Sequence, residues 1–104
     1  MTYKLFLDDE RLPPASWTGT DYVICSNFWA FRDTIKTRGL PEFISFDHDL
    51  GSDRTGYDCA KFLCGWMMNN DIHEPIKWAT HSMNSVGTRN INEYLSNFNA
   101  VNFS

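Results

Sequence analysis

The chain has 104 residues, 42% hydrophobic and 15% aromatic, with a formal net charge of −4. That suffices for one hydrophobic core but not two, and excludes an intrinsically disordered segment. The mild acidity excludes the basic face that duplex nucleic acid requires, and no stretch is apolar enough to span a bilayer.

"YKLFLDD" (Tyr3 to Asp9) is a short apolar run ending in acids and predicts a first strand over residues 3–8. "ERLPPASWTGT" follows, and its two prolines and glycine forbid a regular helix. "YVICS" is the second strand, with Ser26 or Asn27 placed to cap a helix. In that helix, "FWAFRDTIKTRG", Phe28, Phe31 and Ile35 recur at helical spacing, and Lys36, Arg38 and Gly39 mark its end.

"EFISFD" is the third strand and "GSDRTG" a loop. From Tyr57 to about Asn69 the apolar residues are dense enough for a helix buried on a wide face. Pro75 opens the fourth strand, "PIKWAT". After the "HSMNSVG" loop, Ile91, Tyr94, Leu95 and Phe98 predict a last amphipathic helix, followed by a short "NAVNFS" tail. Strands alternating with helices predict one α/β domain over residues 1–104, with a parallel four-stranded sheet ordered 2-1-3-4 and helices on its faces.

In such sheets ligands bind beyond the carboxyl ends of the strands, and three strands here run into polar clusters at that end. Asp8 and Asp9 end the first strand, Asp47, His48 and Asp49 the third, and Thr80, His81, Ser82 and Asn84 the fourth. Carboxylates from neighbouring strands repel one another unless a cation or proton compensates. A hard-oxygen set of this kind suits Mg²⁺ or Mn²⁺, which makes Asp8, Asp9, Asp47 and Asp49 the candidate metal ligands. Arg11, Thr80, Ser82 and Asn84 are placed to bind phosphate oxygens. His48 and His81, with Asp47, are the candidates for proton transfer and chemistry.

Other groups read as structure. Cys25, Cys59 and Cys64 contain no CxxC pair and read as reduced core thiols. His73 falls at the opposite end of the sheet and reads as surface. The four tryptophans read as core rather than as base-stacking platforms. "DLGSDRTG" lacks EF-hand spacing. The N-terminus "MTYKLFLDDE" has no signal-peptide pattern, so a cytoplasmic location is expected.

Taken together, "LFLDDER", "ISFDHDLG" with "TGYDCAKFL", and "PIKWATHSMN" resemble the receiver fold of two-component response regulators, a flavodoxin-like three-layer domain. The resemblance covers about residues 3 to 98. It implies that Asp8 and Asp9 are the acidic pair, Asp47 the phosphoacceptor position, Gly56 the glycine opening the next helix and Thr80 the hydroxyl position. Two features depart from receivers: no helix follows the acidic pair, and the pattern stops before a fifth strand and its lysine. Arg11, the His in "DHDLG" and the "HSMN" loop are similar to the cyclic-phosphate processing receivers (cREC) of phages and bacteria.

That narrower resemblance implies a metal-dependent phosphoesterase acting on cyclic phosphates of nucleotides or RNA ends. Whether Asp47 holds metal or forms an aspartyl-phosphate is left open. "FISFDHDLG" is also similar to the D-x-D motif of haloacid-dehalogenase-type phosphatases, but its central position and the Leu50-Gly51 that follows it, where those enzymes carry Thr or Val, set it apart. The rival class is a non-catalytic binding module, contacting a protein partner or sequestering a cyclic nucleotide. An open acidic cleft separates the enzyme from that module, whose cleft Trp17 or Arg11 would close.

Overall fold

The computed structural model describes residues 2–103. Four short strands, β1 (Lys4–Leu7), β2 (Tyr22–Cys25), β3 (Phe43–Phe46) and β4 (Trp78–Thr80), form one parallel sheet in the order β2-β1-β3-β4. Three helices accompany them: α1 (Phe28–Arg38), α2 (Gly56–Asn69) and α3 (Ser85–Phe103). This is the expected flavodoxin-like receiver architecture.

Strand alternation and crossover hand place the layers. The connections from β2 to β3 and from β3 to β4 run in one direction across the sheet, so right-handed crossovers put their helices on one face. Leu5, Leu7, Cys25, Ile44 and Phe46 point there. They join Phe31 and Ile35 of α1, Leu63 and Met67 of α2, and Ile91 and Leu95 of α3 in one buried cluster.

The connection from β1 to β2 runs the other way and crosses the opposite face. It is not helical: the proline-rich segment makes only a 3₁₀ turn at Ala15–Trp17. Trp17 is the buried anchor of this strap, packed edge-on against Phe6, Tyr22 and Phe43. Helices were expected on both faces, but the third layer is this strap.

The boundaries that differ most from the sequence reading are those of β4 and of α3, which starts at Ser85, inside the loop expected there. β4 starts at Trp78 rather than Pro75, because the Ile76 backbone is paired with a side chain. Its N–H donates to Asn99 Oδ1 at 3.0 Å, and its carbonyl accepts from Asn99 Nδ2 at 2.9 Å. That pairing fixes the C-terminal half of α3, which runs through the residues expected as a tail, to Phe103. Phe98 and Phe103 also meet at 6.3 Å. Trp29 departs from the expectation of buried tryptophans, being 51% exposed.

The cysteines are buried free thiols, as read. Burial pushes Cys64 up to about 12 and raises Cys25 and Cys59 as well, so all three are inert at neutral pH. Among the described residues no helix is long and apolar enough to cross a membrane.

Candidate functional site

The parallel strands end together, and the polar residues that follow them meet at that edge. Asp8, Asp9, Glu10, Arg11, Asp47, Asp49, Gly51, Ser82 and Met83 line an open cleft of about 310 Å³. Neither expected obstruction closes it: Trp17 is held under the sheet, and Arg11 lines the wall.

Asp8 is 2% exposed and heavily bonded. Its Oδ1 accepts the backbone N–H groups of Glu10 at 2.8 Å and Arg11 at 2.9 Å, which fold the chain into a tight turn after β1. Its Oδ2 lies 2.8 Å from His81 Nε2. Burial raises the carboxyl pKa, but the Arg11 and Glu10 amides and His81 outweigh it and leave the group below its ordinary value.

Asp47 is 6% exposed, and its amide donates to the Leu7 carbonyl at 3.0 Å. No side-chain hydrogen bond of the described residues reaches its carboxylate. Asp8, Asp47 and His81 each offer a ligand atom, all within 4.8 Å of one another. A nearly buried carboxylate beside another, without a donor, is what a divalent cation neutralises. The cluster is therefore compatible with a divalent cation, with exposed Asp9 at the rim.

The two histidines occupy different environments. His81 points to the strap side of the sheet, where its ring stacks on Phe6 with centroids 4.7 Å apart and planes 5° off parallel. Its Nδ1 is 2.6 Å from Ser45 Oγ, and Nε2 faces Asp8. Both ring nitrogens are thus engaged by protein groups. Arg11 Nη1 donates to the His81 carbonyl at 2.7 Å, tying the β1 and β4 loops together.

His48 Nδ1 lies 2.9 Å from Asp49 Oδ1. Since a carboxylate only accepts, Nδ1 carries the hydrogen, and in the neutral ring Nε2 is left as an acceptor. Asp49 is held below its ordinary pKa by His48 first and by Asn84 second. Asp49 is thus the orienting partner of His48 as well as part of the cleft wall.

Two glycines make the loop geometry possible. A Cβ on Gly56 would lie 2.0 Å from the Asp47 carbonyl oxygen, and one on Gly87 2.3–2.6 Å from the His48 ring. Gly56 lets the start of α2 abut the backbone of Asp47 and His48, where its N–H donates to the His48 carbonyl at 2.8 Å. Gly87 lets the His48 ring lie on the first turn of α3.

The remaining candidates separate. Ser82 lines the cleft, and its Oγ accepts the Asn84 N–H at 3.1 Å. Asn84 caps α3, accepting the Gly87 N–H at 2.9 Å, and reaches Asp49 Oδ1 with its amide at 3.2 Å. Thr80 turns to the helical face, where Asn92 Nδ2 donates to its Oγ1 at 3.5 Å. Thr80 is not among the residues lining the cleft, and neither are Asn84 and His48, which adjoin it through Asp49. Ser45 was missed by the sequence reading, and strand alternation was the available signal: it is the lone polar side chain within β3.

Residues 3–97 match the family model described as the cyclic-phosphate processing receiver domain. The chain belongs to that family. No curated protein matches this receiver domain. Among solved structures, it is similar to one described as the yeast Spc42 trimeric coiled-coil, amino acids 181–211, fused to another structure. The TM-score is 0.60 at 17% identity, covering 89% of this chain and 63% of that one. At that identity the likeness shows the fold alone, and the receiver domain spans under two thirds of that chain.

Proposed function

We propose that this receiver domain is a divalent-metal-dependent phosphoesterase that opens cyclic phosphates of nucleotides or RNA ends. The observation that carries the reading is the Asp47 carboxylate, nearly buried beside Asp8 and without a hydrogen-bond donor, in an open cleft.

Asp8, Asp9 and Asp47 would hold Mg²⁺ or Mn²⁺, which when bound polarises the phosphodiester and lowers the pKa of water. Arg11 and Ser82 orient the phosphate from the cleft wall. His48, which adjoins the cleft through its contact with Asp49, would accept a proton from water through Nε2. The water oxygen adds to phosphorus, one ring phosphorus–oxygen bond breaks, and the leaving oxygen takes up the proton that His48 removed from the water, giving a phosphomonoester. His81 acts through Asp8, donating to Oδ2 and keeping that carboxylate aimed along the strand end. Thr80 has no part in this reading.

The test is incubation with Mg²⁺ or Mn²⁺ and a panel of 2′,3′-cyclic, 3′,5′-cyclic and oligomeric cyclic nucleotides. Metal-dependent turnover, lost in Asp47→Asn, is expected. No turnover of any member removes the enzyme reading, and turnover that survives Asp47→Asn removes the site assignment. Stable labelling of Asp47 by acetyl phosphate identifies a phosphoacceptor instead.

A further inference from the structure

Trp29 differs from the other tryptophans. Trp17 is buried and Trp66 and Trp78 are half-buried, whereas Trp29 is 51% exposed. Its neighbours include two cations. The Arg32 guanidinium carbon lies 5.1 Å from its ring centroid, and that of Arg54 lies 5.6 Å away. Arg54 also lies 5.0 Å from the Phe28 centroid, and Phe28 meets Trp29 edge-on at 5.0 Å. Arg32 is paired with Asp33 at 2.9 Å. Arg54 makes no salt bridge among the described residues.

This group stands at the same end of the sheet as the acidic cleft. The Asp8 N–H donates to the Cys25 carbonyl at 3.0 Å, and Trp29 follows Cys25 by four residues. Arg54 follows Gly51 by three, and a Cβ on Gly51 would lie 3.0 Å from Asp9 Oδ2. Segments of that length reach at most roughly 10–14 Å, a span that a few nucleotides of an extended strand cover.

We propose that Trp29, Arg32 and Arg54 form a stacking platform for single-stranded RNA whose 3′ end enters the acidic cleft. The proposal rests on the phosphoesterase reading and narrows its substrate to a terminal 2′,3′-cyclic phosphate, which requires the ribose 2′-hydroxyl. Every base has a π-face that stacks on an indole or on a guanidinium plane, and the arginine charges meet the intervening phosphates. The platform also answers an electrostatic difficulty. A strand bearing a charge at each phosphate is repelled by Asp9 and Asp49, and the Arg54 guanidinium, which has no salt-bridge partner among the described residues, offsets part of that repulsion.

The test is fluorescence anisotropy of a labelled single-stranded RNA hexamer ending in a 3′-hydroxyl, without divalent metal. Trp29→Ala is expected to weaken binding about tenfold, and Trp29→Phe to retain most of it. Arg54→Gln is expected to weaken binding and lower the slope of log K against log salt by about 0.7. A duplex of the same sequence, whose bases are already stacked, is expected to bind less well. Trp29→Ala binding within twofold of the parent overturns the proposal, as does a duplex held as tightly as the single strand. The side chains are at the surface, so unchanged melting temperatures verify the fold of each variant. No turnover is read, so failure of the phosphoesterase reading leaves this measurement standing.

Discussion

Ser45 Oγ and His81 Nδ1 lie 2.6 Å apart on the strap face of the sheet, while His81 Nε2 lies 2.8 Å from Asp8 Oδ2. Three strands are joined through one imidazole: Ser45 from β3, His81 just after β4, and Asp8 just after β1. Asp8 only accepts, so Nε2 carries a hydrogen, and the Ser45 hydroxyl donates to Nδ1 in the neutral ring. Ser45→Ala removes that donor and is expected to cost about 1 kcal/mol. Urea unfolding should show a lower midpoint at unchanged slope, and the His81 ring nitrogen shifts should move. Unchanged midpoint and shifts would show that the contact does not orient the ring.

The lowered pKa of Asp8 sets an acid-side stability loss. Its folded value lies below its unfolded one, so its contribution is fully present above the unfolded pKa. That contribution is lost as pH falls through the folded value. Melting temperature followed downward from pH 7 should therefore drop below about pH 4. Asp8→Asn should flatten that part of the profile; an unflattened profile assigns the acid sensitivity to other carboxylates.

Asp47 and Asp8 repel each other in the metal-free protein. Asp47→Asn is therefore expected to raise the metal-free melting temperature, by about 1 kcal/mol of stability. In the parent protein, Mg²⁺ or Mn²⁺ at about ten times its Kd should add about 1.4 kcal/mol, seen as a rise of several degrees. Asp47→Asn should lose that response. A variant that keeps it would place the metal elsewhere.

Gly56→Ala drives a methyl into the Asp47 carbonyl, which is backbone and cannot rotate away. A loss of about 3 kcal/mol is expected in chemical denaturation. Gly87→Ala meets the His48 ring, a side chain that can turn aside. It should cost less stability but displace His48 from Asp49. The signature is turnover loss with a near-parental melting temperature; the reverse pattern would leave His48 without a catalytic part.

The strand ends, the helix faces and the acidic edge were legible in the chain. Predominantly apolar runs closing in Asp8–Asp9 and Asp47–Asp49 state both the strand and its polar terminus. The 2-1-3-4 order follows from alternating β and α elements and from crossover handedness. The connection after β1 was legible as non-helical, because Pro13 and Pro14 remove backbone donors and fix φ.

The partner of each polar group was decided only by packing. Nothing local distinguishes His48 from His81: each follows a strand among acids or hydroxyls. Strand alternation turns His81 towards Ser45 and Asp8 and Thr80 towards Asn92, while the absent Cβ of Gly87 opens the space in which His48 meets Asp49. Trp29 follows the same rule, since its helical position alone does not say which neighbours cover it. Composition and periodicity settle where backbone and apolar surface go, because those depend on short-range order. Hydrogen-bond partners up to 73 residues apart, as for Asp8 and His81, exist only once the sheet has set the register.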